Sequence, residues 1–297
     1  MGFFNNGLIK NITIGRYVTY VNNSMNNTFE DCTNFNSNVY ISDSVTAMPY
    51  TFNSCTNFNQ PVSIPNRVTS MAGTFNNCAM FNQPINIPNS VINMTATFGG
   101  CSNFNRPINI PNSVTTMVQT FMRCIRFNQV INIPNSVTRM VGMLSGCSNF
   151  DQLINIPDSV TTCNAAFSNC TNFNKPVVIP DSVTDVGYMF SNCLKFNQPI
   201  TVPNNVTSVE YMIQRCHNIG FNVTILSPNV TNVMGMIGGR NNTRRINIIV
   251  PAGSTTNSKI IGTVNYQSIT GYNISFTKNT TNNCAYNTRN NVYIYWV

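Results

Sequence analysis

Nine cysteines recur with an unvarying 23-residue period: Cys32, Cys55, Cys78, Cys101, Cys124, Cys147, Cys170, Cys193 and Cys216. Thiols can form disulfides, bind zinc or act as nucleophiles. An odd number at one uniform spacing does not pair into disulfides, and zinc sites need Cys and His at short spacings, for which the single histidine, His217, is a weak candidate. The pattern favours a reduced thiol buried in one core slot per repeat, which suits folding in a cytosol. Cys284 lies outside the series and is predicted to be a free surface thiol or part of a terminal cap.

Acid–base chemistry has few candidate residues, because the chain has one histidine and eight acidic residues. The nearest acidic pairs, Asp181 with Asp185 and Glu30 with Asp31, are typical of solvated surface acids. The sequence therefore predicts no catalytic, cofactor-binding or metal-binding residue, and a protein that is not an enzyme. A polysaccharide-active enzyme is a remote alternative, since it would need acidic and basic residues clustered in a groove on successive repeats.

The 23-residue period indicates one small unit that is copied and stacked into rungs. In the unit at residues 104–124, the segment P-I-N-I-P alternates apolar and polar residues, which predicts a short strand bounded by proline. Residues 114–124 carry apolar side chains at intervals of three, four and three, which suits a helical turn. The predicted fold is an α/β, mostly β, solenoid of about nine to ten 23-residue rungs with one parallel sheet, short helical turns and a C-terminal cap.

Phenylalanine recurs at two positions of the unit, which predicts two stacked aromatic columns in the core, one beginning at Phe29 and one at Phe35. An asparagine follows the second phenylalanine in most rungs. These side chains are predicted to bond along the stack or to satisfy backbone groups of turns: Asn36, Asn59, Asn82, Asn105, Asn128, Asn174 and Asn197, with Asp151 in the same slot.

A second asparagine column is predicted to point outward from the strand segments: Asn86, Asn109, Asn132 and Asn155. It forms a flat, polar, regularly spaced face. This face is either a binding surface for a glycan or a protein partner, or an ordinary solvated surface.

The chain is predicted to have three parts. Residues 1–28 form an N-terminal cap and a divergent first rung, residues 29–239 form the repeat array, and residues 240–297 form a C-terminal cap or a docking module. Within the last part we expect strands at residues 246–251, 274–277 and 292–296, and a helix beginning near Gly253 and running to Tyr266.

The net charge of +8 comes from scattered residues, the nearest approaches to a patch being Arg123 with Arg126 and Arg244 with Arg245. No dense basic run is present, so no nucleic-acid role is predicted. The first residues lack a basic segment followed by a long apolar one, so we expect no secretory leader. No window has 18 or more apolar residues, so membrane insertion is not expected.

The repeat resembles the BspA-like class of bacterial leucine-rich repeats, and is similar to Mycoplasma-type surface repeats and to the F-N-I-P repeats of giant viruses and amoebae. The matching residues include Phe81-Asn82-Gln83-Pro84, Ile87-Pro88-Asn89-Ser90-Val91, Thr97-Phe98 and Val250-Pro251-Ala252-Gly253-Ser254. The resemblance implies a leucine-rich-repeat-like solenoid over about residues 17–255. It also implies a role as a surface adhesin, an interaction module or a part of a phage particle.

The residues that break the repeat are the predicted interaction positions: Arg123, Arg126, Arg139, Tyr50, Tyr188 and Tyr211, together with the outward asparagines. The function predicted is that of a virion structural or interaction protein, assembled in the host cytoplasm as part of a larger assembly. Its partners are other virion proteins or a host surface protein or glycan, and no cofactor is expected. The alternative is a bacterial cell-surface adhesin of the BspA-like type.

Overall fold

The computed structural model describes residues 23–218, 220–238, 246–250, 277–279, 284–287 and 292–296. The chain forms two compact units, Met1–Gln152 and Leu153–Val297, here called unit 1 and unit 2. In each unit the chain winds into stacked rungs, and residues one period apart pair in parallel, as Ser70 with Asn93 and Asp185 with Ser208. Both units are therefore built from the predicted repeat.

The core of each unit consists of columns of equivalent buried side chains. In unit 1 the rings of Phe75 and Phe81 stack within one rung, with centroids 4.4 Å apart. Phe75 stacks on Phe98 of the next rung at 5.8 Å. Unit 2 repeats this packing, with Phe167 and Phe190 at 5.7 Å. The two predicted aromatic columns are confirmed, and they supply most of the large apolar side chains that rungs poor in leucine can bury.

The second half of each rung is a run of hydrogen-bonded turns. From Met71 to Asn77 every second N–H donates to a carbonyl of the next rung. The acceptor lies 22 residues later in the chain, one fewer than the period, as from Phe75 to Thr97 at 2.9 Å. The intervening N–H groups donate backward within the same rung, as from Cys78 to Phe75 at 3.0 Å. Each backbone donor thus has a partner either in its own turn or in the next rung, which permits burial of a segment without helix or strand.

The short helical turn predicted over residues 114–124 is replaced by these reverse turns. Gln119 has φ 55° and Arg123 has φ 61°, and a right-handed helix cannot continue through left-handed residues. Successive four-residue turns also bring every third or fourth side chain to the core. That spacing matches the spacing of a helical face, so the pattern alone did not separate the two structures.

Unit 2 contains one six-stranded sheet. Its strands lie in the order β1-β2-β3-β6-β5-β4. β1, β2, β3 and β6 pair in parallel, whereas β6, β5 and β4 pair antiparallel. The strands are β1 Ile200–Val202, β2 Asn222–Ile225, β3 Ile246–Val250, β4 Thr277–Asn279, β5 Cys284–Asn287 and β6 Val292–Trp296.

Among the rungs that the structure describes, the predicted parallel sheet is present only where β1, β2 and β3 pair. Residues 23–152 of unit 1 contain no strand, only single parallel bridges between rungs. Proline lacks an amide hydrogen and limits a ladder, but it does not by itself decide the difference, since β1 is flanked by Pro199 and Pro203 and still pairs with β2. The inward and outward alternation survives without the ladder, since Ile110 is buried and Asn109 is exposed.

In the C-terminal part, β3 and β6 confirm the strands predicted at residues 246–251 and 292–296. β4 begins at the last residue of the strand predicted at 274–277, and β5 was not predicted. The helix predicted between Gly253 and Tyr266 and most of the predicted cap at residues 1–28 lie outside the described residues. In the described ranges, nothing qualifies as an apolar helix of membrane-spanning length. The predicted division at residues 28 and 239 stays a prediction.

Candidate binding surfaces

The cysteine column is part of the core, as the spacing predicted. Cys101 donates its thiol hydrogen to the carbonyl oxygen of Phe75 in the preceding rung at 3.0 Å, and Cys193 donates to Phe167 at 3.0 Å. All ten cysteines with described side chains are free and buried. Burial, and then the proximity of the neighbouring Cys78 thiol, raises the pKa of Cys101 well above its ordinary value. A thiol that stays protonated and hydrogen-bonded is neither a nucleophile nor a metal ligand.

The metal chemistry considered for the cysteines has no geometric basis in the described part of the chain. There, no group of three or more His, Cys, Asp or Glu residues lies close enough together to hold an ion. Cys284 lies in β5, and the prediction made for its thiol falls outside the described side chains.

The asparagines that follow the second phenylalanine link one rung to the next, which confirms their predicted structural role. Asn105 Oδ1 accepts hydrogen bonds from the backbone N–H of Asn128 and from Gln129 Nε2, both at 3.0 Å. In unit 2 the N–H of Asn197 donates to Asn174 Oδ1 at 2.8 Å. These side chains connect successive rungs through their amide oxygens, which accept hydrogen bonds from the following rung.

The outward asparagine column differs from this ladder. Asn86, Asn109 and Asn132 of unit 1 are exposed, and Asn155 of unit 2 is exposed in the same position of its rung. Among the described residues, none of these four side chains has a hydrogen-bond partner. Each amide offers two donors and an acceptor oxygen to the solvent or to a ligand. In unit 1 the result is one unused amide per rung on three successive rungs.

The three arginines predicted as interaction positions are all exposed, but they occupy three different positions of the rung. Arg123 has a left-handed backbone, and its side chain lies beside Gly146 of the next rung, where an added Cβ would come within 3.2 Å of it. Arg139 belongs to the bridge column and pairs with Thr116. Arg126 lies just after Cys124, where the turn segment of its rung ends, whereas Arg139 lies just before the turn segment of the following rung. They are separate surface positions rather than one basic patch.

The three predicted tyrosines share one slot in which the backbone is left-handed. Tyr50 has φ 53°, Tyr188 has φ 56° and Tyr211 has φ 48°. Each ring leans toward the following rung. A Cβ at Gly73 would collide with the ring of Tyr50, and a Cβ at Gly235 would collide with the ring of Tyr211. A tyrosine in this slot is therefore followed, at the equivalent position of the next rung, by glycine or by another aromatic ring.

The structure brings Tyr188 and Tyr211 together, with ring centroids 4.9 Å apart and planes at 32°. It also adds a residue that sequence reasoning missed. The carboxylate of Glu210 lies close enough to Tyr188 to act on its hydroxyl, and Glu210 Oε2 accepts a hydrogen bond from Asn232 Nδ2 at 2.9 Å. Partial desolvation, followed by the negative charge of Glu210, raises the pKa of Tyr188. Glu210 lies one position short of a full period after Tyr188. The same offset joins backbone donors and acceptors throughout the turns, and the repeat period alone does not give it.

The family described as "Mycoplasma protein of unknown function, DUF285" matches residues 2–110, 65–157, 86–177, 132–225 and 157–249. The overlapping matches extend from residue 2 to residue 249, which is well over half of the chain. The chain belongs to this family. The predicted resemblance to Mycoplasma-type repeats is thereby confirmed.

Two solved structures are similar to parts of the chain. A leucine-rich repeat protein from Bacteroides ovatus ATCC 8483 has a TM-score of 0.49 and 18% identity, over 69% of this chain and 59% of that one. A leucine rich cell surface protein from Faecalibacterium prausnitzii A2-165 has a TM-score of 0.39 and 15% identity, over 80% of this chain and 78% of that one. The chain thus spans less than two thirds of the Bacteroides protein. A search of curated protein sequences finds no match.

Proposed function

We propose that the chain is a non-enzymatic binding protein that holds its partner on the outward asparagine column of unit 1. The observation that carries this proposal is the contrast between two sets of the same side chain. The side-chain oxygen of Asn105 and its equivalents accepts hydrogen bonds from the next rung, whereas the side chains of Asn86, Asn109 and Asn132 are exposed and make no hydrogen bond within the described residues. Regularly spaced, neutral amides suit a neutral partner with hydrogen-bonding groups, such as a glycan or a polar protein surface.

The setting that we propose first is a virus or phage particle, in which the chain serves as a capsid decoration, a fibre or a tail component. Its partners there are other particle proteins or a host surface protein or glycan. The support is the state of the thiols, since all ten described cysteines are free and buried. Proteins assembled in a reducing host cytoplasm keep free thiols, whereas exported proteins tend to form disulfides.

The second setting is the surface of a bacterial cell, where the chain acts as an adhesin. Membership of a Mycoplasma family supports it, as does the resemblance to BspA-like repeats. The binding face is the same in both settings, so only the location of the protein separates them.

Quantitative mass spectrometry of purified particles, together with antibody labelling of intact cells, tests the setting. A fixed number of copies per particle supports the virion role. Labelling of intact cells, with no copies in particles, supports the adhesin role and overturns the virion role. Recovery only from the lysate fraction overturns both settings.

A glycan array and host-cell envelope vesicles, each probed with the whole chain, test the binding face. The variant N86S/N109S/N132S removes the amides and keeps a residue that this column already tolerates at Ser63. The matched control is N89S/N112S/N135S, which changes the same residue type at exposed positions of the same rungs. Loss of binding in the first variant alone supports the proposal. Equal binding by both variants contradicts it, and release of reducing ends from a bound polysaccharide contradicts the non-enzymatic role.

A further inference from the structure

The turn surface of unit 2 carries a group of side chains that the core does not need. Tyr188 and Tyr211 are half-buried and stack on each other at 4.9 Å. Met234, in the rung after Tyr211, is 49% exposed. We call Asp185, Tyr188, Glu210 and Tyr211 the tyrosine–acid surface.

The two tyrosines are held in a conformation that does not suit them. At φ 56° and 48° their backbones are left-handed, a region that glycine adopts freely and that bulky side chains disfavour. Glycine occupies the same slot at Gly73, Gly142 and Gly235. Folding alone therefore gives no reason to keep tyrosine in two consecutive rungs, whereas exposed aromatic side chains are common anchors at interfaces.

The two carboxylates of this surface are fixed in place by neutral groups. Asp185 accepts from the N–H of Gly187 at 2.8 Å and from Asn164 Nδ2 at 2.9 Å. Glu210 accepts from Asn232 Nδ2 at 2.9 Å. These partners orient the oxygens without neutralising them, and a carboxylate retains further acceptor positions for a ligand.

Charge decides which partner fits. The whole chain has a net charge of +8 with only eight acidic residues, yet Asp185 precedes Tyr188 by three residues and Glu210 directly precedes Tyr211. In the described part of the chain, neither Asp185 nor Glu210 has a lysine or arginine partner. An arginine side chain can stack on an aromatic ring while its planar guanidinium binds a carboxylate through two hydrogen bonds.

We propose that the tyrosine–acid surface binds a basic segment of a partner protein, with arginine side chains packed against Tyr188 and Tyr211 and paired with Glu210 and Asp185. This proposal rests on the binding role proposed above and assigns the chemistry of a second partner surface. It uses no residue of the asparagine column, so the two can fail independently.

The test uses the whole chain and a peptide of alternating arginine and glycine as the probe, titrated by calorimetry at low and at moderate salt. E210Q and D185N keep the shape of each side chain and remove its charge. Each is expected to weaken binding by about tenfold, because each removes one charge pair at the interface. Y188G/Y211G is expected to abolish binding while the protein stays folded, since glycine already occupies that slot in other rungs.

Y50G is the matched control, because it removes a tyrosine from the same slot in unit 1. It should leave the affinity for the peptide unchanged. A peptide of alternating glutamate and glycine should not bind, and added salt should weaken binding of the arginine peptide. Absence of binding by the arginine peptide overturns the proposal, as does binding that E210Q, D185N and Y188G/Y211G leave unchanged.

Analytical ultracentrifugation of the chain alone tests whether the tyrosine–acid surface binds a second copy of the chain rather than a separate partner. If the protein self-associates at low salt and E210Q/D185N abolishes that association, the surface binds the exposed arginines of another copy, and the proposal of a separate basic partner is wrong. A monomer that binds the arginine peptide supports the proposal. The asparagine-column variant N86S/N109S/N132S should bind the peptide like the wild type, which separates failure of this inference from failure of the proposed function.

Discussion

Raising the pH should unfold this protein through its cysteine column. Burial is the first cause of a raised thiol pKa at six described positions: Cys55, Cys78, Cys101, Cys124, Cys163 and Cys193. In the unfolded chain these thiols return to their ordinary pKa of 9.0. The unfolded state therefore releases protons that the folded state retains. The contribution to stability is complete below pH 9 and decreases as the pH rises toward the folded pKa, which for Cys163 is about 12.

The size of the effect follows from the difference in ionisation. At about pH 10 an unfolded thiol of pKa 9.0 is about 90% ionised and its folded counterpart is neutral, which weakens folding by about 1.4 kcal/mol per thiol. Six such thiols together remove about 8 kcal/mol, within the range of about 5–15 kcal/mol that holds a typical domain folded. We expect cooperative unfolding between about pH 9 and pH 10.5.

Circular dichroism and thiolate absorbance, followed through the same alkaline titration, provide the assay. The loss of folded signal and the rise in thiolate absorbance should coincide, because the thiols ionise only after they are exposed. Cys101→Ala removes one titrating group. At about pH 10, unfolding of this variant should release about one proton fewer than unfolding of the wild type, and its free energy of unfolding should fall less steeply with pH. Thiolate formation that precedes unfolding, or an unfolding free energy equal at neutral and alkaline pH, would refute the reasoning.

Three further predictions concern neutral pH. Asn105→Ala removes the acceptor of an exposed hydrogen bond between rungs and should cost about 0.5–1.5 kcal/mol in urea unfolding. Asn109→Ala should change stability by less than about 0.5 kcal/mol, and equal costs would contradict the division between ladder and free asparagines. Phe98→Ala should cost about 3–5 kcal/mol and Phe98→Leu about 1–2 kcal/mol, because leucine fills most of the ring's volume; similar losses of melting temperature in both variants would show that the stacked rings are not close-packed. Gly73→Ala should cost at least about 1 kcal/mol from its φ of 61° and from collision with Tyr50, and Tyr50→Gly should recover part of that cost in a double-mutant cycle; full additivity would show that the ring is not the obstacle.

The composition of the core could be predicted from the sequence, because the same residue type recurring at a fixed interval must occupy the same position in every rung. Phe75 and Phe98 recur one period apart, and stacking is the arrangement in which both stay buried. The asparagine ladder was predictable for the same reason, since a polar side chain repeated beside a buried ring must find partners in the neighbouring rung. Both predictions concern the contents of a column, which the period determines.

Backbone conformation was less predictable, because different structures give the same spacing. A helix and a run of four-residue turns both place Met117 and Phe121 on the core side. The left-handed backbone at Gln119 and Arg123 distinguishes them, and neither residue type signals it as glycine does. Likewise, the alternation around Asn109 indicated a strand, whereas the flanking prolines limit the number of amide donors.

The tyrosine–acid surface could be predicted only in part. Tyr188 and Tyr211 share a slot one period apart, so their contact followed from the repeat. Glu210 reaches Tyr188 from one position before that slot, which reflects the direction of the hydrogen bonds between rungs. The repeat period gives the order of the rungs but not the direction in which each side chain points relative to its neighbouring rung.

The lean of the side chains also affects how such an array can lengthen or be engineered. Tandem repeats gain and lose copies by recombination, which moves a whole repeat segment at once. The ring of Tyr50 needs Gly73 directly beyond it, and Tyr211 needs Gly235. A segment that carries a terminal tyrosine is therefore compatible only with a successor that carries glycine or another ring. For a repeat that carries tyrosine in this slot, the smallest portable module is therefore the repeat together with its successor, and a graft of that repeat alone should produce a steric clash at its junction unless the next repeat offers glycine or a ring there.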